Sequence, residues 1–349
     1  KESQKLNSLY NYIEDLKSEQ KQNSDKDKEI QLTEQIKRYT ELYKYFEKYE
    51  EFLSSIGKID FDDMVLSAIK KLKENPELLK SWENKYDHVI VDEFQDNNSL
   101  QTELARLLSP EGHITVVGDE DQCIYTFQGA HEENFDQIRD HFSEFSPENK
   151  ILRTNYRSTE EIVNSSQQLM NAEKGRPPKN LKAFEGNGKG VKPELHEFHT
   201  VNDEFSFIKE KLYELRDSGI SLKDCAILFR KNKEIREFTN FLGRKPTQIT
   251  LSTIHKVKGK EYSVVFVSHL ENGSIPTNYR EAELTVPKKL QQFPSNKDDS
   301  ISHKREERRM LYVAMTRAKH QLFLTYHTDK TTLRSDFLND LDIKPQTND

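Results

Sequence analysis

KYDHVIVDEFQDNNSLQ, residues 85–101, is the stretch that decides how this chain is read. Val89, Ile90 and Val91 make a short apolar run that stops at Asp92-Glu93. The pattern predicts a buried strand with two carboxylates at its carboxyl end, where the sheets of α/β proteins bind ligands. One carboxylate of such a pair can hold Mg²⁺ directly or through water, while its neighbour orients or deprotonates an attacking water. For a bare Asp-Glu pair the competing reading is a strand ending in a solvated acidic turn. Phe94-Gln95-Asp96 and the segments that follow turn the reading towards chemistry.

A chain of 349 residues can bury a sizeable core and is expected to form two domains. Its 53 basic and 60 acidic residues give a net charge of −7, so a nucleic-acid site has to be a local basic strip. Charged residues make up 32% and mean hydropathy is −0.90, which predicts long solvated helices. The two cysteines, Cys123 and Cys225, lack metal-ligand spacing and point to a reducing, cytoplasmic compartment without a disulfide framework. No apolar run approaches the roughly 18 residues that span a membrane, and no signal peptide is visible. The first residue is Lys1 and the chain opens inside a helical pattern, which reads as an excerpt of a longer protein.

Residues 1 to about 50 carry helical spacing, with Tyr10, Ile13 and Leu16 on one stripe and Leu42, Tyr43 and Phe46 on another. This predicts an amphipathic helical pair around a polar turn at Asn23-Ser24-Asp25. Asp60, Asp62 and Asp63 open a further helix to Leu72 and are read as dipole-matched caps rather than metal ligands. Ile114–Val117 predicts a second short strand ending in Gly118-Asp119. Further strands are expected near 193–197, 225–229, 249–253, 264–268 and 322–326. Helices are expected near 159–171, 203–217, 232–242 and 304–319. Strand and helix in alternation imply a mostly parallel, helix-covered sheet. The stretches 173–191 and 272–303 read as loops, and there is no internal repeat.

Taken together, the segments resemble the UvrD/Rep/PcrA group of superfamily 1 helicases. VDEFQD (91–96), VVGDEDQCIYTFQGA (116–130), LRTNYRS (152–158), STIHKVKGKEY (252–262) and EERRMLYVAMTRAKHQL (306–322) match that family's motifs in order, preceded by IDFDDMV (59–65). The resemblance covers about residues 59–328. It implies two RecA-like parallel-sheet motor domains, the first incomplete. Residues 1–58 would be a helical remnant, 59–150 part of motor domain 1, and 151–349 motor domain 2. It also implies ATP-driven translocation on single-stranded or partial duplex DNA with 3′-to-5′ polarity, ATP and Mg²⁺ as cofactors, and a use such as DNA repair.

By the same resemblance Asp92 holds Mg²⁺ and Glu93 positions or activates the attacking water. Gln122 reaches the γ-phosphate and that water, although a turn amide bonding its own backbone is the plainer reading. Arg157 and Arg317 act as fingers, since a planar, permanently charged guanidinium can stabilise charge spread over phosphoryl oxygens. For either Arg alone, a surface salt bridge is the commoner explanation. Tyr156 stacks on adenine, Glu261 bonds the ribose and Gly259 lies beside the nucleotide. Tyr125 and Phe127 would stack on bases, and Thr253, His255, Lys256 and Lys258 would meet phosphates. Core aromatics, a strand-end cap and a solvated basic turn compete with these assignments. Ser158-Thr159-Glu160-Glu161 reads as a capping box that fixes the backbone after Arg157.

The departures from the family are as informative. No GxxxxGK[ST] phosphate loop occurs; Gly186-Asn187-Gly188-Lys189-Gly190 lacks the spacing and reads as a flexible loop. The loop is expected upstream of Lys1, so this chain alone is expected to have negligible ATPase activity and exposed sheet edges beside Asp92. Only Lys231–Gln248 stands where relatives insert a large helical subdomain, which implies altered regulation or a protein partner. Gln128 replaces a common Arg, and Lys260 and Tyr262 replace a common Leu and Phe. The alternative is an ATPase-inactive relative that binds DNA or a partner. A fused nuclease would need residues beyond the short tail after Tyr326.

Overall fold

The computed structural model describes residues 4–126, 129–130, 133–243, 248–280, 299–329 and 332–347. The backbone packs into two compact units. One is built on Lys1–Val91 and Asn98–Thr115, the other on Asp92–Asn97, Val116–Tyr279 and Asp298–Asp349.

In the first unit, α1 (Gln4–Gln22) and α2 (Lys26–Ser55) form the expected antiparallel pair. Asp25 caps α2 by accepting from the Asp27 and Lys28 amides, which fixes the turn. Ile13, Leu16, Leu32 and Tyr39 bury the shared stripe. Asp60 accepts from the Asp63 amide and caps α3 (Phe61–Glu74), so this acidic run is a helix start. Pro76 at its first position and Asn75 as its cap then start α4 (Pro76–Glu83). Asn98 and Gln101 make a reciprocal capping box at α5 (Ser99–Leu107).

Strand β1 (Val89–Val91) pairs with β2 (Ile114–Val116) in a sheet of these two strands among the described residues. The run at Val89 was expected to be buried. Instead Ile90 is 71% exposed, since among the described residues no third strand joins this sheet.

The second unit is organised by a six-stranded parallel sheet. Its strands are β5 (Glu194–Phe198), β6 (Cys225–Phe229), β7 (Thr250–Thr253), β8 (Tyr262–Val267), β9 (Ala318–His327) and β10 (Pro345–Thr347). They lie in the order β10-β5-β9-β8-β6-β7, every pair parallel. Strand alternation sorts the core. Ala226, Leu228, Val265, Val267, Leu322 and Leu324 face α7 (Glu160–Asn171) and α10 (Asp299–Met315). Cys225, Ile227, Phe229, Val264, Phe266 and Phe323 face α8 (Val201–Asp217) and α9 (Asn232–Phe241). A sheet covered on both faces explains why β6 and β8 read as continuous apolar runs.

Among the short elements not expected from the sequence, besides α4 and β10, are β3 (Thr154–Asn155) and β4 (Lys182–Ala183), which pair in parallel, and α6 (Asn134–His141). On α10, buried Glu307 takes the fork of Arg230 at 2.7 and 3.1 Å and the Thr277 amide at 2.9 Å. Both cysteines are buried and neither is in a disulfide. No described helix is long and apolar enough to cross a membrane.

Candidate functional site

All the predicted site residues that are described belong to the second unit. Directly after Val91 the chain leaves extended geometry, and Glu93 takes the left-handed conformation, φ 49° and ψ 40°. A non-glycine residue held there stores strain of order 1–2 kcal/mol, a feature that clusters at functional sites. The Glu93 amide donates to Asp92 Oδ1 at 2.8 Å, and the short turn Phe94–Asp96 follows. Both carboxylate side chains are exposed, while Gln95 is buried beneath them at 1%. Its amide group donates to Glu93 Oε2 at 2.6 Å, and its oxygen accepts the Asp119 amide at 3.0 Å. A Cβ at Gly118 would stand 2.1 Å from that oxygen, so a larger residue there would displace the Gln95 amide from this bond. Gln95 therefore ties Glu93 to the second acidic turn.

That turn presents Asp119, Glu120, Asp121 and Gln122. Gln122 donates to Asp119 Oδ2 at 2.9 Å and accepts from Arg317 Nη2 at 3.4 Å, so its amide bonds side chains and not its own backbone. Arg317 is 1% exposed, and its Nε and Nη1 donate to the carbonyls of Val313 and Lys260. Burial, then the charge of Arg157, brings its pKa down to about 10, so it stays cationic at neutral pH. Asp121 is gripped by the Arg176 fork at 2.6 and 2.5 Å and by Lys179 at 3.1 Å. Burial pushes its carboxyl up, but Arg176 and Lys179 outweigh that and hold it below the ordinary range. Lys179 also bonds Asp119 and Glu120 at 2.5 and 2.9 Å.

Arg157 donates through Nε to Glu261 Oε2 at 2.8 Å and through Nη1 to the Thr316 carbonyl at 3.3 Å. Lys319 meets the other Glu261 oxygen at 2.6 Å. Arg157, Glu261 and Lys319, with Asn155, Tyr156, Asn187 and His320, line an open cleft of about 530 Å³. Tyr156 is exposed, its ring 5.1 Å from Phe184 and tilted by 35°. Gly259 sits in the turn at φ 81°, a conformation suited to glycine.

The predicted capping box does not form. Thr159 is the cap residue without a side-chain bond, and the Ser158 hydroxyl donates instead to the Ala318 carbonyl at 2.6 Å. Asn155 takes over the fixing role by accepting the Arg157 and Ser158 amides, both at 2.9 Å. The Glu160 and Glu161 amides are received by the carbonyls of Gly188 and Lys189. The glycine-rich loop is thus an ordered cap on α7.

Hydrogen bonds from Lys319 and then Arg157, and their charges, lower the Glu261 carboxyl to about 2. A depressed carboxylate contributes stability that is complete above about 4.5 and lost as pH falls towards 2. Solvent screens this exposed group, so the effect is at most about 1 kcal/mol. The stability difference between the parent and Glu261→Gln, read from urea unfolding, is expected to shrink on going from pH 6 to about pH 3. A difference that stays constant with pH contradicts the pairing.

In the segment after β7, Lys258 is paired with Asp96 at 2.5 and 2.6 Å and with the Gln122 carbonyl at 2.7 Å. Its ammonium, expected at phosphate, thus links the two acidic turns. Tyr125 donates to the His255 carbonyl at 3.0 Å and is partly buried. Burial, then Arg230, lowers the His255 pKa. Thr253 is buried and Lys256 is exposed. Phe127 and Gln128 lie outside the described residues.

Comparison with known proteins bears on this geometry. The description "UvrD/REP helicase N-terminal domain" fits residues 1–143, and "UvrD-like helicase C-terminal domain" fits 151–246 and 240–329. The chain belongs to the UvrD-like superfamily 1 helicase family. Among its relatives is a probable DNA helicase II homolog of Mycoplasma capricolum, 36% identical over 62% of this chain and 29% of that protein. A probable DNA helicase of Mycoplasma pneumoniae is 30% identical over 79% of this chain and 50% of that protein. The ATP-dependent DNA helicase PcrA of Staphylococcus epidermidis is 34% identical over 55% and 26%. The chain therefore spans between about a quarter and a half of these relatives.

Within this UvrD-like chain, the six-stranded parallel sheet is the RecA-like layer. Asp92, Glu93, Gln122, Arg157, Arg317 and Glu261 fall on the resembling segments; one hydrogen-bond series joins Asp92, Glu93, Gln122 and Arg317, and a separate bond joins Arg157 to Glu261. Arg176 and Lys179 were missed. They flank Pro177-Pro178 in a stretch without periodicity, and only the stiffness of that dipeptide hints that two cations are being placed.

Proposed function

We propose that this chain is part of an ATP-driven DNA helicase or translocase of the UvrD type, moving 3′ to 5′ on single-stranded DNA. One observation supports it most. Glu93, Gln95, Asp119, Gln122 and Arg317 form one continuous hydrogen-bonded series from an exposed, strained carboxylate to a buried guanidinium. Such a series can couple a carboxylate that orients water to a cation that answers phosphoryl charge.

The donor set fits a nucleotide with its metal. Asp92 offers an exposed carboxylate for Mg²⁺, and Arg157, Glu261 and Tyr156 line an open cleft. When bound, ATP with Mg²⁺ supplies the phosphoryl group to be hydrolysed. Glu93 then orients and deprotonates water, with its carboxylate aimed by Gln95. Arg157 and Arg317 neutralise developing charge, and Gln122 holds Arg317 in register. Lys258 acts as a positioning residue between the acidic turns. Phe127, Thr253, His255 and Lys256 remain the proposed DNA contacts, with Tyr125 supporting His255. These 349 residues contain no GxxxxGK[ST] segment, so hydrolysis requires a phosphate-binding loop in addition to them, and the short Lys231–Gln248 stretch supports altered regulation or a protein partner.

The Tyr156 cleft offers the test. Stacking a base on an aromatic ring is worth about 1–3 kcal/mol. In calorimetric titration of this chain with Mg·ATP, Tyr156→Ala is expected to weaken binding at least about fivefold. Equal affinity removes Tyr156 from the nucleotide site.

A further inference from the structure

Around the start of α8 and the carboxyl ends of β8 and β9, at positions outside the segments that resemble helicase motifs, four ligand-type side chains converge. Glu204 lies in the first turn of α8 and is fully buried. His269 follows the carboxyl end of β8, and His327 ends β9. His327 Nδ1 stands 3.0 Å from Glu204 Oε2 and 2.9 Å from Glu271 Oε1. His269 Nδ1 stands 3.6 Å from the same Glu204 oxygen. The three donor atoms of Glu204, His269 and His327 all lie within 4.8 Å of one another.

We infer that Glu204, His269 and His327 form a binding site for a divalent transition-metal ion, zinc in the first instance, with Glu271 as a neighbouring fourth donor. Zn²⁺ binds imidazole nitrogen and carboxylate oxygen at about 2.0–2.2 Å, which places tetrahedral ligand atoms roughly 3.3 Å apart. The two Glu204–His separations, 3.0 and 3.6 Å, bracket that value.

The remaining Glu204 oxygen is held as metal-site carboxylates are. It accepts from Ser268 Oγ and Thr325 Oγ1, both at 2.6 Å, and from the His269 amide at 3.0 Å, which leaves Oε2 to face the imidazoles. His269 is kept in left-handed geometry at φ 64°, the kind of local strain that fixes a ligand's direction. The position is also that of a ligand site, beyond the carboxyl ends of parallel strands. An entry path exists, since His269, Glu271 and His327 line a cavity of about 670 Å³.

Cobalt serves as the probe, because Co²⁺ in a tetrahedral site absorbs visible light far more strongly than hydrated Co²⁺. The chelator-stripped 349-residue chain is expected to take up one equivalent of Co²⁺ with tetrahedral absorption that Zn²⁺ abolishes. Glu204→Gln and His327→Gln are expected to weaken Co²⁺ binding more than tenfold, with folding checked by circular dichroism. Thr325→Val, which removes only one support of Glu204, is expected to weaken it about tenfold. If a ligand variant fails to fold, the parent spectrum and Thr325→Val decide. Absence of the tetrahedral band in the parent chain shows a buried ion-pair cluster and overturns the site. Unchanged Co²⁺ affinity in the folded variants places the ion elsewhere and overturns it too.

Discussion

Glu93→Gln is expected to cut DNA-stimulated ATP turnover by roughly 10²- to 10⁴-fold, the usual worth of a positioned general base. The protein to test carries these 349 residues together with a phosphate-binding loop. The substitution keeps the shape of the side chain, and its carbonyl can still accept the Gln95 amide that Glu93 Oε2 receives at 2.6 Å. The left-handed backbone at φ 49° is unchanged as well. Stability should therefore hold within a degree or two of unfolding temperature while the chemical step collapses. What is removed is the capacity to take a proton from water at the strand tip. Turnover within about threefold of the parent assigns the base to another carboxylate and leaves Glu93 a turn residue.

Asp121→Ala is expected to have the largest effect on stability. Asp121 is 3% exposed, and its carboxylate is the shared partner of Arg176 and Lys179. Removing one partner of a buried pair leaves an uncompensated charge and typically costs about 3–5 kcal/mol. Lys179 keeps Asp119 and Glu120, so the lower end, about 3 kcal/mol, is expected. Urea unfolding of the parent, Asp121→Ala, Arg176→Ala and the double variant checks it. The double loss should fall well short of the sum, because the singles remove one shared interaction. A loss under about 1 kcal/mol for Asp121→Ala, or simple additivity, shows that solvent rather than Arg176 compensates the carboxylate.

What could be read from the sequence was local. The turn at Asn23-Ser24-Asp25 was legible because Asp25 caps through its own neighbours, Asp27 and Lys28. The acidic start at Asp60 was legible for the same reason. Strands β6 and β8 were legible as apolar runs because a sheet with helices on both faces buries all of β6 and all of β8 but Ser263. What failed depended on partners far along the chain. Ser158 reads as a capping residue until the Ala318 carbonyl, 160 positions away, takes its hydroxyl. The pairing of Lys258 with Asp96, 162 positions earlier, likewise has no local sign in the sequence. The Arg176–Asp121 clamp and the Glu204, His269 and His327 cluster have no local signature, since each is assembled by topology from unrelated elements. The resembling segments identified the family and its expected roles. How Gln95 and Lys258 tie those segments together emerged from the geometry.

The most direct test of the central claim is ATP hydrolysis with and without single-stranded DNA, measured side by side. One protein is this 349-residue chain and the other carries the same residues with a phosphate-binding loop. The account predicts DNA-dependent hydrolysis by the longer protein and none by the chain alone. Robust hydrolysis by the chain alone, or no hydrolysis by either, contradicts it.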